Sequence, residues 1–95
     1  MMRSRRSVMA PDRDDVLRDV TQIVAEQMGT EADKIAESNA LVEDLGCDSL
    51  DIVEISMELE DHFDITIPDE FDEKRRTIAD VANGVLQLLA SSRHP

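Results

Sequence analysis

Apolar residues recur along much of this chain at intervals of three and four, a spacing typical of one face of an α-helix. The first segment with this period lies between Asp12 and Gly29. Its apolar residues are Val16, Leu17, Val20, Ile23, Val24 and Met28. Because Asp12 can cap a helix N-terminus and glycine commonly ends a helix, the pattern predicts a first helix between these two residues.

A long connection separates this helix from the next one. From Thr30 to Asp48 the apolar residues show no sustained period, and the anchors of the segment are Ile35, Leu41, Val42 and Leu45. A loop of this length in a small domain is either functional or holds a short helical turn of its own. We expect it to deliver Ser49 to the start of a second helix, which runs from about Ser49 to His62.

The second helix carries two apolar stripes, which lie roughly half a turn apart at about 3.6 residues per turn. The inner stripe consists of Ile52, Ile55, Leu59 and Phe63. The outer stripe consists of Leu50, Val53 and Met57. An acidic band lies between them and consists of Asp51, Glu54, Glu58 and Asp61. We expect the inner stripe to face the core and the outer stripe to bind another molecule, because small domains seldom expose apolar residues in a row.

The remainder of the chain predicts two more helices and completes one domain. Ile65 and Ile67 return to the core, Pro68 can open a short third helix over residues 69–74, and Thr77 begins the fourth. The apolar residues of the fourth helix are Ile78, Val81, Ala82, Val85, Leu88 and Leu89. We therefore expect an all-α, small four-helix bundle with three longer helices, a short third helix and a long loop between helices 1 and 2. The domain would span residues 12–90, with a flexible N-terminal tail over 1–11 and a C-terminal tail over 91–95.

Composition and charge narrow the class of partner. The 95 residues carry a formal net charge of −12, and an acidic surface repels nucleic acid and anionic membranes, so we expect partners with basic docking surfaces instead. No segment approaches the roughly 20 apolar residues that span a bilayer, so we expect no membrane insertion. The single cysteine has no internal disulfide partner and the basic N-terminus lacks a secretory apolar run, which favours a cytoplasmic protein.

The second helix begins at a serine that another molecule can reach. Gly46 interrupts the chain, Asp48 stands at the N-cap position, and Asp51 lies three residues on, as in a capping box. Ser49 then lies in the first helical turn, where backbone N–H groups favour an approaching anion. Asp-Ser alone is more often a plain helix start. Because neither histidine is close in sequence and no calcium-loop pattern is present, we expect no catalytic residue and no metal site.

The run DLGCDSLD over residues 44–51 resembles the attachment site of the acyl carrier protein family. Glu54, Leu59, Phe63, the Ile67-Pro68 pair and the run TIADV over 77–81 follow in the family's order and spacing. The resemblance covers about residues 14–89. It implies that Ser49 receives 4′-phosphopantetheine from coenzyme A through a separate phosphopantetheinyl transferase that uses magnesium. It also implies that the chain is not an enzyme, and that it carries acyl thioesters to acyl-processing enzymes of fatty acid, lipid or polyketide-type biosynthesis.

The resemblance also implies roles for the residues around Ser49. The residues that match the family's partner-recognition positions are Asp48, Leu50, Asp51, Val53, Glu54, Met57, Glu60 and Asp61. The residues that match positions lining an acyl cavity are Ile55, Leu59 and Ile67. The plain alternatives are a solvated helix face for the carboxylates and ordinary core packing for the apolar residues.

Two further hypotheses follow from the sequence. Departures from the family's pattern at Cys47, Ser56, Phe71, Arg75 and Gly84 suggest a specialised rather than a housekeeping carrier. The rival from another class is an unmodified, acidic helical scaffold or interaction subunit that uses the same acidic helix, with Ser49 silent or phosphorylated. We expect the protein to be a monomer.

Overall fold

The computed structural model describes residues 12–68 and 77–92, and these residues form three α-helices. The helices are α1 (Arg13–Met28), α2 (Ser49–Phe63) and α3 (Ile78–Ser92). A single turn of 3₁₀ helix (Ala32–Lys34) lies between α1 and α2. The predicted all-α class is confirmed, and α3 is the helix that the sequence predicts as the fourth. The short helix predicted over residues 69–74 and the tail predicted over residues 1–11 lie outside the described residues and stay predictions.

Both ends of α1 and the start of α3 are set by the capping residues that the sequence suggests. The Asp12 side chain accepts a hydrogen bond of 3.0 Å from the backbone N–H of Asp15. At the other end Gly29 has a φ of 70°, a left-handed conformation that glycine adopts without strain. At the start of α3, Thr77 and Asp80 each accept a hydrogen bond from the other's backbone N–H, at 3.1 and 3.2 Å. Both helices therefore begin where local sequence satisfies their first N–H groups.

The three helices enclose an aliphatic core. Its buried residues are Val16, Val20, Val24, Leu41, Cys47, Ile55, Leu59, Ile65, Ile78, Val81, Ala82 and Val85. The inner stripe of α2 faces this core as predicted, because Ile55 and Leu59 are buried and Ile52 and Phe63 are half-buried against it. The core therefore depends on branched aliphatic side chains from all three helices and from the segments that connect them.

The long connection between α1 and α2 is an ordered loop that is tied to the start of α3. The backbone N–H groups of Ile78 and Ala79 donate to the carbonyls of Asn39 and Glu37, at 3.0 and 2.9 Å. Ala40 and Thr77 also form an isolated antiparallel bridge. The 3₁₀ turn (Ala32–Lys34) confirms one of the two alternatives for so long a loop, that it holds a short helical turn of its own. The loop that leads to Ser49 is therefore fixed to the start of α3 by backbone hydrogen bonds.

No helix among residues 12–68 and 77–92 is long and apolar enough to cross a membrane.

Candidate functional site

The two residues before the N-cap of α2, Gly46 and Cys47, are fixed by backbone conformation and by packing. Gly46 has a φ of 77°, a conformation in which a residue with a side chain would be strained. Cys47 is buried, its backbone N–H donates to the Leu41 carbonyl at 2.9 Å, and its Sγ lies 3.5 Å from Sδ of Met28. Burial raises the pKa of the Cys47 thiol, and the nearby carboxylates of Asp51 and Asp48 raise it further. Cys47 therefore acts as a packed, protonated thiol that anchors the loop to α1.

The start of α2 is the capping box that the sequence predicts. The Asp48 side chain accepts from the backbone N–H of Asp51 at 2.9 Å, and the Asp51 side chain accepts from the backbone N–H of Asp48 at 3.1 Å. This second hydrogen bond, followed by one from the Gln27 amide, lowers the pKa of the Asp51 carboxyl. The reciprocal pair fixes the helix start, so that the position of Ser49 is defined by backbone rather than by a mobile loop.

Ser49 is the first residue of α2 and is exposed. His62 lies at the other end of the same helix, about 20 Å away along the axis at 1.5 Å per residue. Its Nε2 is instead 3.1 Å from an Asp19 carboxylate oxygen on α1. Ser49 is accordingly a hydroxyl that other molecules can reach, and the histidine that the structure describes is too distant to act as its base.

The outer stripe of α2 is exposed as predicted. The exposed fractions of Leu50, Val53 and Met57 are 63%, 49% and 60%. Val42 in the preceding loop is exposed as well, at 57%, so its predicted role as an apolar anchor is wrong, whereas Leu41 beside it is buried. The backbone conformation of the loop determines which of these two adjacent apolar side chains faces the core. Hydrophobic periodicity cannot predict that orientation in an irregular segment.

The carboxylates along α2 differ in their surroundings. Glu54, Glu58 and Asp61 are exposed, whereas Asp51 and Glu60 are half-buried. The Glu60 carboxylate accepts a hydrogen bond of 2.8 Å from the backbone N–H of Ile67. The Glu60 carbonyl also accepts from the N–H of Ile65, after Asp64 has turned the chain with a φ of 57°. Glu60 thus joins the end of α2 to the segment that follows it.

One residue that contacts the α2 carboxylates was not singled out from the sequence, Gln27 on the last turn of α1. Its side-chain Nε2 lies 2.6 Å from Oε1 of Glu54 and 3.3 Å from Oδ1 of Asp51. Gln27 is two residues before the helix-ending Gly29, a position at which periodicity gives no functional signal. Its role depends on the packing of α1 against α2, which a single sequence does not contain.

The residues proposed for an acyl cavity come together in the core. Ile55 and Leu59 are buried, and Ile67 is half-buried against the same cluster. A surface groove of about 300 Å³ lies nearby, but its walls are Asp64, Ile65, Thr66, Leu88 and Ser91. None of the three proposed residues lines that groove. Their role in an acyl cavity therefore stays a prediction.

Comparisons with known proteins show which family has this sequence and fold. Residues 18–85 match the family model described as "Phosphopantetheine attachment site". The acyl carrier protein of Bdellovibrio bacteriovorus is 48% identical over 64 residues, which are 67% of this chain and 82% of that protein. The chain belongs to the acyl carrier protein family. The acyl carrier protein of Clostridium acetobutylicum is 47% identical over 68 residues, which are 72% of this chain and 88% of that protein.

A solved structure extends the likeness to the fold. The acyl carrier protein from Enterococcus faecalis superposes with a TM-score of 0.69 at 31% sequence identity, over 82% of this chain and 99% of that one. As an acyl carrier protein, the chain is a carrier rather than an enzyme, and its cofactor is covalently attached 4′-phosphopantetheine. Members of the family interact with a phosphopantetheinyl transferase and with acyl-processing enzymes.

Proposed function

We propose that Ser49 carries the 4′-phosphopantetheine arm and that the chain delivers acyl groups from this position. The observation that supports the proposal most directly is the exposure of Ser49 at the first residue of α2, within the run DLGCDSLD and within the matched residues 18–85. The arm supplies a terminal thiol on which acyl groups travel as thioesters. Because the serine stands on a capped helix, the arm would start from a fixed point.

The residues around Ser49 fit a phosphodiester on its hydroxyl. The side chain is exposed, the neighbouring Leu50 is exposed too, and the first N–H groups of α2 favour a negative group at this helix end. In the loading step Ser49 Oγ would bond to the phosphorus of the pantetheine-side phosphate, and the nucleotide part of coenzyme A would leave. The hydroxyl proton would pass to the transferase, since His62 on this chain is too far away to receive it.

The experiment is intact mass measurement of the full chain after incubation with coenzyme A, magnesium and a phosphopantetheinyl transferase. Wild type should gain the mass of one phosphopantetheinyl group, and Ser49→Ala should gain none. Ser38→Ala is a matched control, because Ser38 is an exposed serine in the loop before α2, and it should load like wild type. An unmodified wild type, or a loaded Ser49→Ala, would refute the proposal and leave the unmodified scaffold as the better hypothesis.

We propose further that partners dock on the outward side of α2. The residues involved would be Asp48, Leu50, Asp51, Val53, Glu54, Met57, Glu60 and Asp61. An exposed apolar stripe beside carboxylates suits a partner whose basic rim surrounds an apolar patch, and the net charge of −12 would attract it over a distance. Such charge pairing speeds encounter and leaves release easy, as a carrier that visits several enzymes requires.

The cargo would be an acyl group of fatty acid, related lipid or polyketide-type biosynthesis. Ile55, Leu59 and Ile67 would border the space that shelters it, because they are aliphatic residues that meet in the core behind α2. We propose that the protein works as a monomer in the cytoplasm. The comparisons give no support to a specialised pathway, and we propose none.

A further inference from the structure

We propose that Gln27 is a positioning residue, which holds the carboxylates of Asp51 and Glu54 in the arrangement that basic partners recognise. The inference rests on the proposed docking surface and adds to it a residue from a different helix. The Gln27 Nε2 atom lies 2.6 Å from a Glu54 oxygen and 3.3 Å from an Asp51 oxygen. One side chain of α1 thus links two carboxylates that stand three positions apart on α2.

The chemistry of the amide suits this task. Its NH₂ group has two hydrogens and can donate to two acceptors at once. An amide is neutral, so it holds the two carboxylates close to each other without cancelling their charge, whereas lysine or arginine at this position would reduce the negative field. The mutual repulsion of the carboxylates is offset by the shared donor, and both remain charged for a basic partner.

The two carboxylates depend on Gln27 to different degrees. Asp51 is also held by the backbone N–H of Asp48 at 3.1 Å, so its side chain has a second anchor. For the exposed Glu54 carboxylate, Gln27 is the hydrogen-bond donor that the described part of the chain provides. Loss of the amide would therefore free Glu54 to rotate, and a partner would have to immobilise it on binding.

The location of Gln27 makes the link rigid. It is half-buried at the end of α1, beside Met28, whose sulfur contacts the buried Cys47 just before Ser49. The same turn of α1 thus braces the loop that leads to Ser49 and the carboxylates that follow it. Gln27 would in this way fix the docking carboxylates relative to the attachment serine.

The experiment measures KM and kcat for modification of the full chain by a phosphopantetheinyl transferase, and it compares the Gln27→Met variant with the Gln22→Met variant. Methionine keeps the length and helix propensity of glutamine and removes the amide. Gln22 is the matched control, because its amide also contacts a carboxylate, that of Glu26 on the same helix, at 3.2 Å. We expect Gln27→Met to raise KM about fivefold, the cost of immobilising one long side chain, with kcat unchanged. Gln22→Met should match wild type.

Two further readouts separate positioning from a general structural role. In a Glu54→Ala background, the KM effect of Gln27→Met should largely disappear, since the amide acts mainly through Glu54. The pKa of Asp51, measured by NMR titration, should rise in Gln27→Met and stay unchanged in Gln22→Met. An equal KM for the two methionine variants, or an undiminished effect in the Glu54→Ala background, would overturn the inference. Ser49-dependent mass gain would persist in that case, so the failure would be distinct from failure of the carrier proposal.

Discussion

The inner and outer stripes of α2 contain the same kinds of side chain in opposite surroundings. Leu59 on the inner stripe is 1% exposed, whereas Leu50 on the outer stripe is 63% exposed. The two leucines have the same hydrophobic driving force for burial, yet the fold satisfies it for only one of them. The comparison shows that α2 has more apolar surface than the core can cover, and that the surplus lies beside the exposed Ser49.

The exposed carboxylates of α2 lie on the side of the outer stripe and not on that of the inner stripe. Glu54, Glu58 and Asp61 are exposed beside the outer stripe, while the inner stripe of α2 is apolar. An apolar patch on a protein surface risks aggregation, and bordering carboxylates reduce that risk. One helix thus combines a face that packs in the core with an exposed face, on which we propose that basic partners dock.

The sharpest test of this division is the free energy of unfolding of two leucine variants. Leu59→Ala leaves a cavity among fully buried side chains and should lower the free energy of unfolding by about 2–5 kcal/mol. Leu50→Ala removes an exposed side chain and should change it by less than about 0.5 kcal/mol. Urea unfolding followed by circular dichroism measures both. Similar losses for the two variants would mean that the stripes do not differ in their contribution to the fold.

The amino-acid pattern predicts much of this arrangement. The ends of α1, the capping box at Asp48, the position of Ser49 and the opposite exposure of the two stripes all follow from residues within a few positions of each other. Short-range rules suffice for such features, since helical period and capping depend on local spacing. The family resemblance, carried by the run over residues 44–51, predicts the cofactor and the carrier function.

The features that the pattern does not predict depend on contacts between distant segments. Gln27 reaches Glu54 only because α1 packs against α2, and the intervening sequence contains no signal of that contact. Val42 was expected to anchor the loop and is exposed, because the irregular backbone turns it outward. Glu60 matches a docking position, but its half-buried carboxylate also accepts from the Ile67 N–H. A single sequence gives the side-chain chemistry at each position. The contacts of Gln27 and Glu60 and the exposure of Val42 depend on which distant segments pack against each other.

Glu60 gives a second, smaller test, because it stands at the border between the face of α2 that packs in the core and the face proposed for docking. It lies seven positions after Val53, nearly two helical turns, so it continues the line of the outer stripe, while its carboxylate accepts a hydrogen bond from the backbone N–H of Ile67. Glu60→Ala should lower the free energy of unfolding by about 1 kcal/mol, a value reduced for its partial exposure. Glu58→Ala, which removes an exposed carboxylate of the same helix, should be nearly neutral in urea unfolding.

Glu60→Gln refines that measurement. The glutamine amide oxygen can still accept from the Ile67 N–H, so most of the stability should return. A full loss in Glu60→Gln would show that charge, and not the hydrogen bond, carries the effect. Equal stability of Glu60→Ala and Glu58→Ala would show that the contact with Ile67 contributes nothing, and Glu60 would then be a docking residue alone.

The smallest expected effect concerns the extent of the outer stripe. Val53 and Val42 are both about half exposed, at 49% and 57%, but Val53 lies on α2 and Val42 on the loop before it. If partners dock on α2, Val53→Ala should raise the KM for transferase loading about threefold, or about 0.7 kcal/mol, through lost apolar contact. Val42→Ala should leave KM unchanged. Both should keep the wild-type melting temperature, because neither valine is in the core. Equal KM increases would extend the docking surface onto the loop, and no increase in either would remove the apolar stripe from recognition by the transferase.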